Sequence, residues 1–234
     1  MKLFVGRCLL CCVGLVTAMT VTAQAQAPAG RTDVYGVLFM KAAPGQADAL
    51  GKSLLMPLPD APMPDHFVLL RHQEGDDWDY CLIRHLGPKT AIEATPAPPN
   101  PARDLSTWHD DSFVSGPSWG DFTKAMGMGG SGAAGQVYVV SVHRAVPGHR
   151  DQLEKSLAAQ PPAADKIQTG ELLMQHIEGG AWQYLTITRY NSWQDFGTDR
   201  MQALSSPTSA GGWADVRQHS AFHRDTIADR VNVK

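Results

Sequence analysis

Residues 34–54 read VYGVLFMKAAPGQADALGKSL, and residues 137–157 read VYVVSVHRAVPGHRDQLEKSL. At a constant offset of 103 positions, 11 of the 21 residues are identical. Chance would supply about one or two, so the chain carries an internal duplication. A second block agrees with one residue of slip. His72-Gln73-Glu74-Gly75 through Trp78, Tyr80 and Ile83 matches His176-Ile177-Glu178-Gly179 through Trp182, Tyr184 and Ile187. Trp108 and Asp110, set against Trp213 and Asp215, extend the register with a further residue of slip.

Between the copies lies Gly127–Gly135, GMGGSGAAG, five glycines in nine residues. Such a run is too flexible for the interior of an element and reads as a linker. The repeats are therefore 26–126 and 136–234, joined by 127–135. Each predicts strand, helix, strand, strand, helix and a last strand. Val34–Lys41 and Val137–Arg144 are β-rich and run into Pro-Gly turns at Pro44-Gly45 and Pro147-Gly148. Ala47, Leu50 and Leu54 in one copy, and Leu153 and Leu157 in the other, keep helical spacing. Asp48 and Asp151 sit near the helix N-termini, where negative charge is favoured. Hairpins follow over residues 67–85 and 172–189, turning at Glu-Gly.

A second helix opens at Ser192 in the later copy, with Ser192 as its cap and Asp195 three residues on. Its Trp193, Phe196 and Leu204 are expected to face the sheet. In the earlier copy Pro96, Pro98, Pro99 and Pro101 mark an irregular loop. At the tail, Trp213, Val216, Ser220, His223 and Ile227 recur at steps of three and four. That spacing predicts a helix to about residue 227, then a short strand to Val233.

The chain of 234 residues is 43% hydrophobic and 18% charged, with a formal net charge of −3. It carries no basic excess that would suit nucleic acid. The first 25 residues read as a signal peptide. Lys2 and Arg7 precede an apolar run, and Ala23-Gln24-Ala25 offers a cleavage site. The expectation is an exported protein, periplasmic or secreted, with no membrane span once the leader is gone. Removing it takes Cys8, Cys11 and Cys12, leaving Cys81 as a lone buried thiol that cannot form an internal disulfide. It also takes two positive charges, so the mature charge is −5.

A β-α-β-β-α-β unit is the ferredoxin-like plan, which leaves one sheet face bare. Leaving that face in water costs about 25 cal/mol per Å² of apolar surface. Two copies in one chain bury those faces against each other. The V-Y-x-V-x-x-x-x-A-x-P-G start, its amphipathic helix and the W-x-Y strand resemble the dimeric α/β-barrel superfamily, here as a fused tandem pair. The resemblance implies an α+β fold in which two repeats form an intramolecular dimeric barrel, monomeric in solution. Relatives of that kind include cofactor-independent monooxygenases, haem-binding and haem-degrading enzymes and lactone isomerases. The fold alone does not choose among them, and no cofactor is specified.

Three functional readings follow from the residues. In the first, a small, largely apolar molecule lies between the sheets, with Tyr80, Tyr184, Glu74 and Glu178 as ligand-binding residues. Trp78 and Trp182 complete an aromatic stripe that core packing also explains. In the second, His72 or His176, each beside a carboxylate two residues on, is the catalytic base of a cofactor-independent oxygenase or isomerase. In the third, the protein is an interaction module with an exposed apolar patch. His219 and His223 are four apart, as two metal ligands on a helix would be, with His109 and His143 as distant candidates for a third. No H-E-x-x-H motif accompanies them, so no metal site is predicted.

Overall fold

The computed structural model describes residues 30–56, 66–91, 101–128, 135–159, 167–205, 208 and 210–231. The expected leader, Pro96, Pro98 and Pro99, the centre of the glycine linker and Val233 lie outside the described residues. Eight antiparallel strands close into a barrel. The first repeat supplies β1 (Asp33–Ala42), β2 (Phe67–Glu74), β3 (Tyr80–Pro88) and β4 (Ser106–Gly116). The second supplies β5 (Val137–Ala145), β6 (Gly170–Glu178), β7 (Tyr184–Tyr190) and β8 (Ser220–Arg230). Around the ring the order is β1-β3-β2-β8-β5-β7-β6-β4. Each repeat is a 4-1-3-2 sheet, and the two meet where β2 pairs with β8 and β4 with β6. Closure within one chain removes open edges and gives the bare sheet faces a common interior.

The alternation of side chains decides what that interior holds. Val37, Phe39, Val68, Leu70, Cys81, Ile83, Val140, Leu172, Met174, Leu185 and Ile187 point inward into one cluster. Helices α1 (Ala47–Leu55) and α3 (Arg150–Leu157) cover the outside, seating Leu50, Leu54 and Leu153 on the opposite faces of the same strands. Both seams are short, β2–β8 spanning Leu70–Glu74 and β4–β6 spanning Phe113–Ser115. Each carries a register shift beside its histidine. At one seam the Arg71 guanidinium meets Asp229 at 2.7 Å and Gln73 Nε2 donates to the same carboxylate at 2.8 Å.

One helix has no counterpart in the sequence reading. Helix α2 (Trp119–Ala125) leaves β4 and closes one end of the barrel with Phe122 and Met126, both buried. The Asp121 amide donates to Ser118 Oγ at 3.2 Å, and that cap fixes where the helix starts. Tyr35 donates to the Pro117 carbonyl and Tyr138 to the Met126 carbonyl, so a phenol from each repeat grips this plug. Burial drives the Tyr35 phenol's pKa far upward, which keeps it a donor.

Three expectations about the second repeat are corrected. The tail is not helical to residue 227. Helix α5 (Trp213–His219) is short, and β8 takes over at Ser220 because the ring needs an eighth strand to satisfy the backbone of β5 and β2. Helix α4 (Trp193–Ser205) starts as expected, the Asp195 amide donating to Ser192 Oγ at 3.1 Å. Only Phe196 packs on the sheet, against Tyr190, whereas Trp193 and Leu204 are exposed. Trp108 and Trp213 are not equivalent. Trp108 of β4 pairs with Lys41 of β1, and the residue in that position of the second repeat is Phe222, which pairs with Arg144. Trp213 instead belongs to α5, which stands ahead of β8 where the first repeat has a 3-10 helix, Pro101–Leu105, ahead of β4.

Candidate functional site

Opposite the α2 plug, the barrel mouth holds a cavity of about 370 Å³. That volume lies inside the roughly 300–1,000 Å³ range of small-molecule sites. Its apolar wall is Phe39, Trp78, Trp108, Val140, Val142, Trp182 and Phe222. Below this mouth the interior is filled by the cluster around Leu70 and Met174, so the space is confined to one end.

Trp78 and Trp182 enter by a break in alternation. On a continuous strand Trp78 would share the outward face of Tyr80. It instead precedes β3, whose first residues are tied back by the Asp79 amide donating to Met40 O at 2.8 Å. Gln183 makes the equivalent bond to His143 O at 2.7 Å. The turn swings both indoles inward while the tyrosines stay outside. Tyr80 packs among Met40, Leu50 and Leu54 under α1. The phenol of Tyr184 lies under α3 and donates to Glu154 at 2.9 Å. Neither tyrosine lines the cavity, contrary to the expected ligand-binding role. Glu74 and Glu178 end their strands at the register shifts and are exposed, so they do not line it either.

His72 and His176 do face inward, one ring behind the cavity wall. His72 lies edge-on to Trp78 at 5.7 Å, and His176 edge-on to Trp182 at 5.0 Å. The Nε2 of each is buried and has no hydrogen-bond partner among the described residues. Burial holds the His176 imidazole below its ordinary pKa, with the charge of Asp110 opposing that effect. The metal candidates separate. His219 ends α5 with its Nδ1 3.0 Å from His149 Nδ1, whereas His223 lies on β8, its ring 6.0 Å from that of His143. Helical spacing does not put them on one face, because the helix stops at His219. His109 bonds Asp111 at 2.9 Å, on the other repeat.

The charged groups of the mouth were not legible in the sequence. Arg224 Nη1 donates to Asp76 Oδ1 at 3.0 Å. Asp110 Oδ1 accepts from Ser112 Oγ at 2.9 Å. Arg144 and Arg224 set their guanidinium carbons 5.3 and 5.5 Å from the centre of the Phe222 ring. Such placement over an aromatic face is electrostatically favourable. The twofold relation explains why repeats cannot reveal them. Asp76 corresponds to Gly180, and Asp110 to Arg224, so the chemistry sits where the copies differ.

Gly180 leaves room for two side chains. A Cβ there would lie 2.4 Å from Asp110 Oδ2 and 2.6 Å from Trp182 Nε1. The turn therefore passes close over both groups. Its amide donates to Ser112 Oγ at 2.8 Å, as the Asp76 amide donates to Thr226 Oγ1 at 3.2 Å.

No protein-family model matches the chain, and no curated protein matches it. Among solved structures it is similar to an anthrone oxidase-like protein, with 13% identity and a TM-score of 0.56. That likeness covers 87% of this chain and 92% of the other. A candidate monooxygenase from Lactobacillus acidophilus NCFM aligns at 10% identity with a TM-score of 0.46, over 85% of this chain and 94% of that one. The first likeness establishes the eight-stranded α+β ring as a shared fold.

Proposed function

We propose that the protein binds a small, flat, largely apolar molecule at the mouth of its barrel. The observation that carries this reading is the cavity itself, walled by three indoles and two phenyl rings at the end opposite the α2 plug. Aromatic walls favour a planar guest, because offset stacking adds to the burial of apolar area. Calorimetric titration with 2-naphthamide tests it. One-to-one binding is expected, lost when Val142→Phe fills the mouth. Binding that survives this substitution, or no binding of either 2-naphthamide or 2-naphthoate to the unchanged protein, overturns the reading.

A second reading, a cofactor-independent oxygenase, rests on the unpartnered Nε2 atoms of His72 and His176, which meet the cavity only past the indoles of Trp78 and Trp182. With its pKa lowered by burial, His176 is neutral at pH 7 and able to accept a proton. The base would take the proton of an activated carbon acid, and dioxygen would take up the electrons of the resulting carbanion. The shared fold of the anthrone oxidase-like protein makes anthrone the probe. Dioxygen uptake that falls in both His72→Ala and His176→Ala supports this role, and uptake unchanged in both removes it.

We further propose that the protein is exported and monomeric. The supports are the Ala23-Gln24-Ala25 site and the closure of the ring within one chain. A mature form beginning at Gln26, with one chain's mass by light scattering, is the expected result. A cytoplasmic, unprocessed chain or an obligate dimer contradicts it.

A further inference from the structure

Resting on the binding reading above, we infer that the cavity selects a planar aromatic monocarboxylate. Its ring packs among Trp78, Trp182 and Phe222, and its carboxylate meets the guanidinium of Arg144.

Four charged side chains line the mouth, and they are not equivalent. Arg224 and Asp76 neutralise each other. Arg144 has no carboxylate within ion-pair distance among the described residues, and its guanidinium lies against the face of Phe222. The related residue of the first repeat is Lys41, which is held by Asp77. The second repeat has Ala181 in the place of Asp77. The substitution that frees the cation therefore lies in the very turn that forms the cavity wall. Asp110 likewise has no guanidinium or ammonium partner among the described residues, only the hydroxyl of Ser112.

The mouth is thus bipolar. Arg144 stands on β5 beside Phe222 of β8, and Asp110 stands on β4 of the other repeat. A guanidinium fork matches the two oxygens of a carboxylate, and Phe222 packs against one face of this one. Asp110, which lines the same mouth, repels a second anion. One acidic group on a flat ring satisfies both walls. A diacid violates the second, and a neutral ring leaves Arg144 unused.

Calorimetry on the mature protein at pH 7 with 2-naphthoate, 2-naphthamide and naphthalene-2,6-dicarboxylate tests this. The monocarboxylate is expected to bind up to about fivefold more tightly than the amide, the gain of a charge-assisted pair at an exposed guanidinium. The dicarboxylate is expected to bind more weakly than the monocarboxylate, and Asp110→Asn to narrow that gap. In Arg144→Gln the naphthoate-to-amide ratio falls towards one, whereas Arg144→Lys retains part of it. Arg144 is exposed at the end of its strand, so an unchanged thermal midpoint verifies that these variants fold. Equal affinity for acid and amide in the unsubstituted protein overturns this inference and leaves the binding reading intact. Failure of all three probes overturns both.

Discussion

Arg224 on the last strand donates to Asp76 in the turn before β3, across 148 residues of sequence. The bond ties the hairpin of the first repeat to the closing strand of the second, beside a seam of few backbone pairs. At the other seam the corresponding residues are Asp110 and Gly180, and a close backbone approach replaces the ion pair. The two joints of this ring are therefore chemically different although their backbones are related by a twofold axis.

Asp76→Ala separates the electrostatic from the structural contribution of that bond. Both side chains keep contact with solvent, so the loss is expected to be about 0–1 kcal/mol in urea unfolding. The same substitution releases a second guanidinium into the mouth. Affinity for 2-naphthoate is expected to rise while that for 2-naphthamide stays level. A fall in naphthoate affinity would contradict the cationic wall.

The glycines at the seams bear more weight than the charges. Gly75 has φ +123° and Gly179 φ +115°, conformations that residues with a Cβ rarely adopt. A Cβ would meet Asp225 O at 2.4 Å in the first case and Asp111 O at 2.2 Å in the second, both backbone atoms. Each Gly→Ala is expected to cost about 2–4 kcal/mol, strain plus displacement of the partner strand. Gly148, with φ +84° and open space around it, is the control. Gly148→Ala is expected to cost about 1 kcal/mol from conformation alone. Equal losses at all three sites would exclude the clash as the cause.

Duplication is why so much of the architecture was legible from sequence. The repeated V-Y start and Pro-Gly turn define β1 and β5 in both copies, each buried on both faces. What it hides is what distinguishes the copies. Asp76 against Gly180, Asp77 against Ala181 and Asp110 against Arg224 look like drift until the ring sets them around one space. Tyr80 and Tyr184 misled for a local reason. Period-two counting from Trp78 assumes a continuous strand, and the chain turns at Asp79 and Gln183. The tail misled because a spacing of three and four over residues 213–227 cannot show that β5 and β2 lack neighbours.

Cys81 is fully buried, paired across to Phe39 and Leu70 and facing the barrel interior. Burial drives its thiol pKa well above the ordinary range. The native protein, with its leader removed, is expected to resist Ellman's reagent and to release one thiol equivalent in denaturant. Rapid labelling of the native state would mean that the barrel opens locally far more often than its packing allows.

His143 supplies a prediction about acid. It is buried on the outer side of β5, its Nε2 3.2 Å from Thr186 Oγ1. Burial lowers its pKa from 6.5 to about 4; the charge on Asp225 opposes the shift and His223 adds to it. Arg217 of α5 reaches His223 at 3.4 Å and adds a further positive charge nearby. Because the folded pKa lies below the unfolded one, the unfolded chain binds the proton more readily between pH 6.5 and 4. The stabilisation is therefore complete above pH 6.5 and drains away as pH falls towards 4, by about 3 kcal/mol at about 1.4 kcal/mol per pH unit. His176, also lowered by burial, contributes in the same direction. The first repeat has Met40 at the position of His143, inside a buried apolar cluster, so His143→Met tests the effect with a side chain this fold already accommodates. The variant is expected to unfold with a markedly flatter pH dependence between 6.5 and 4. A slope as steep as before the substitution would show that other groups carry the acid sensitivity.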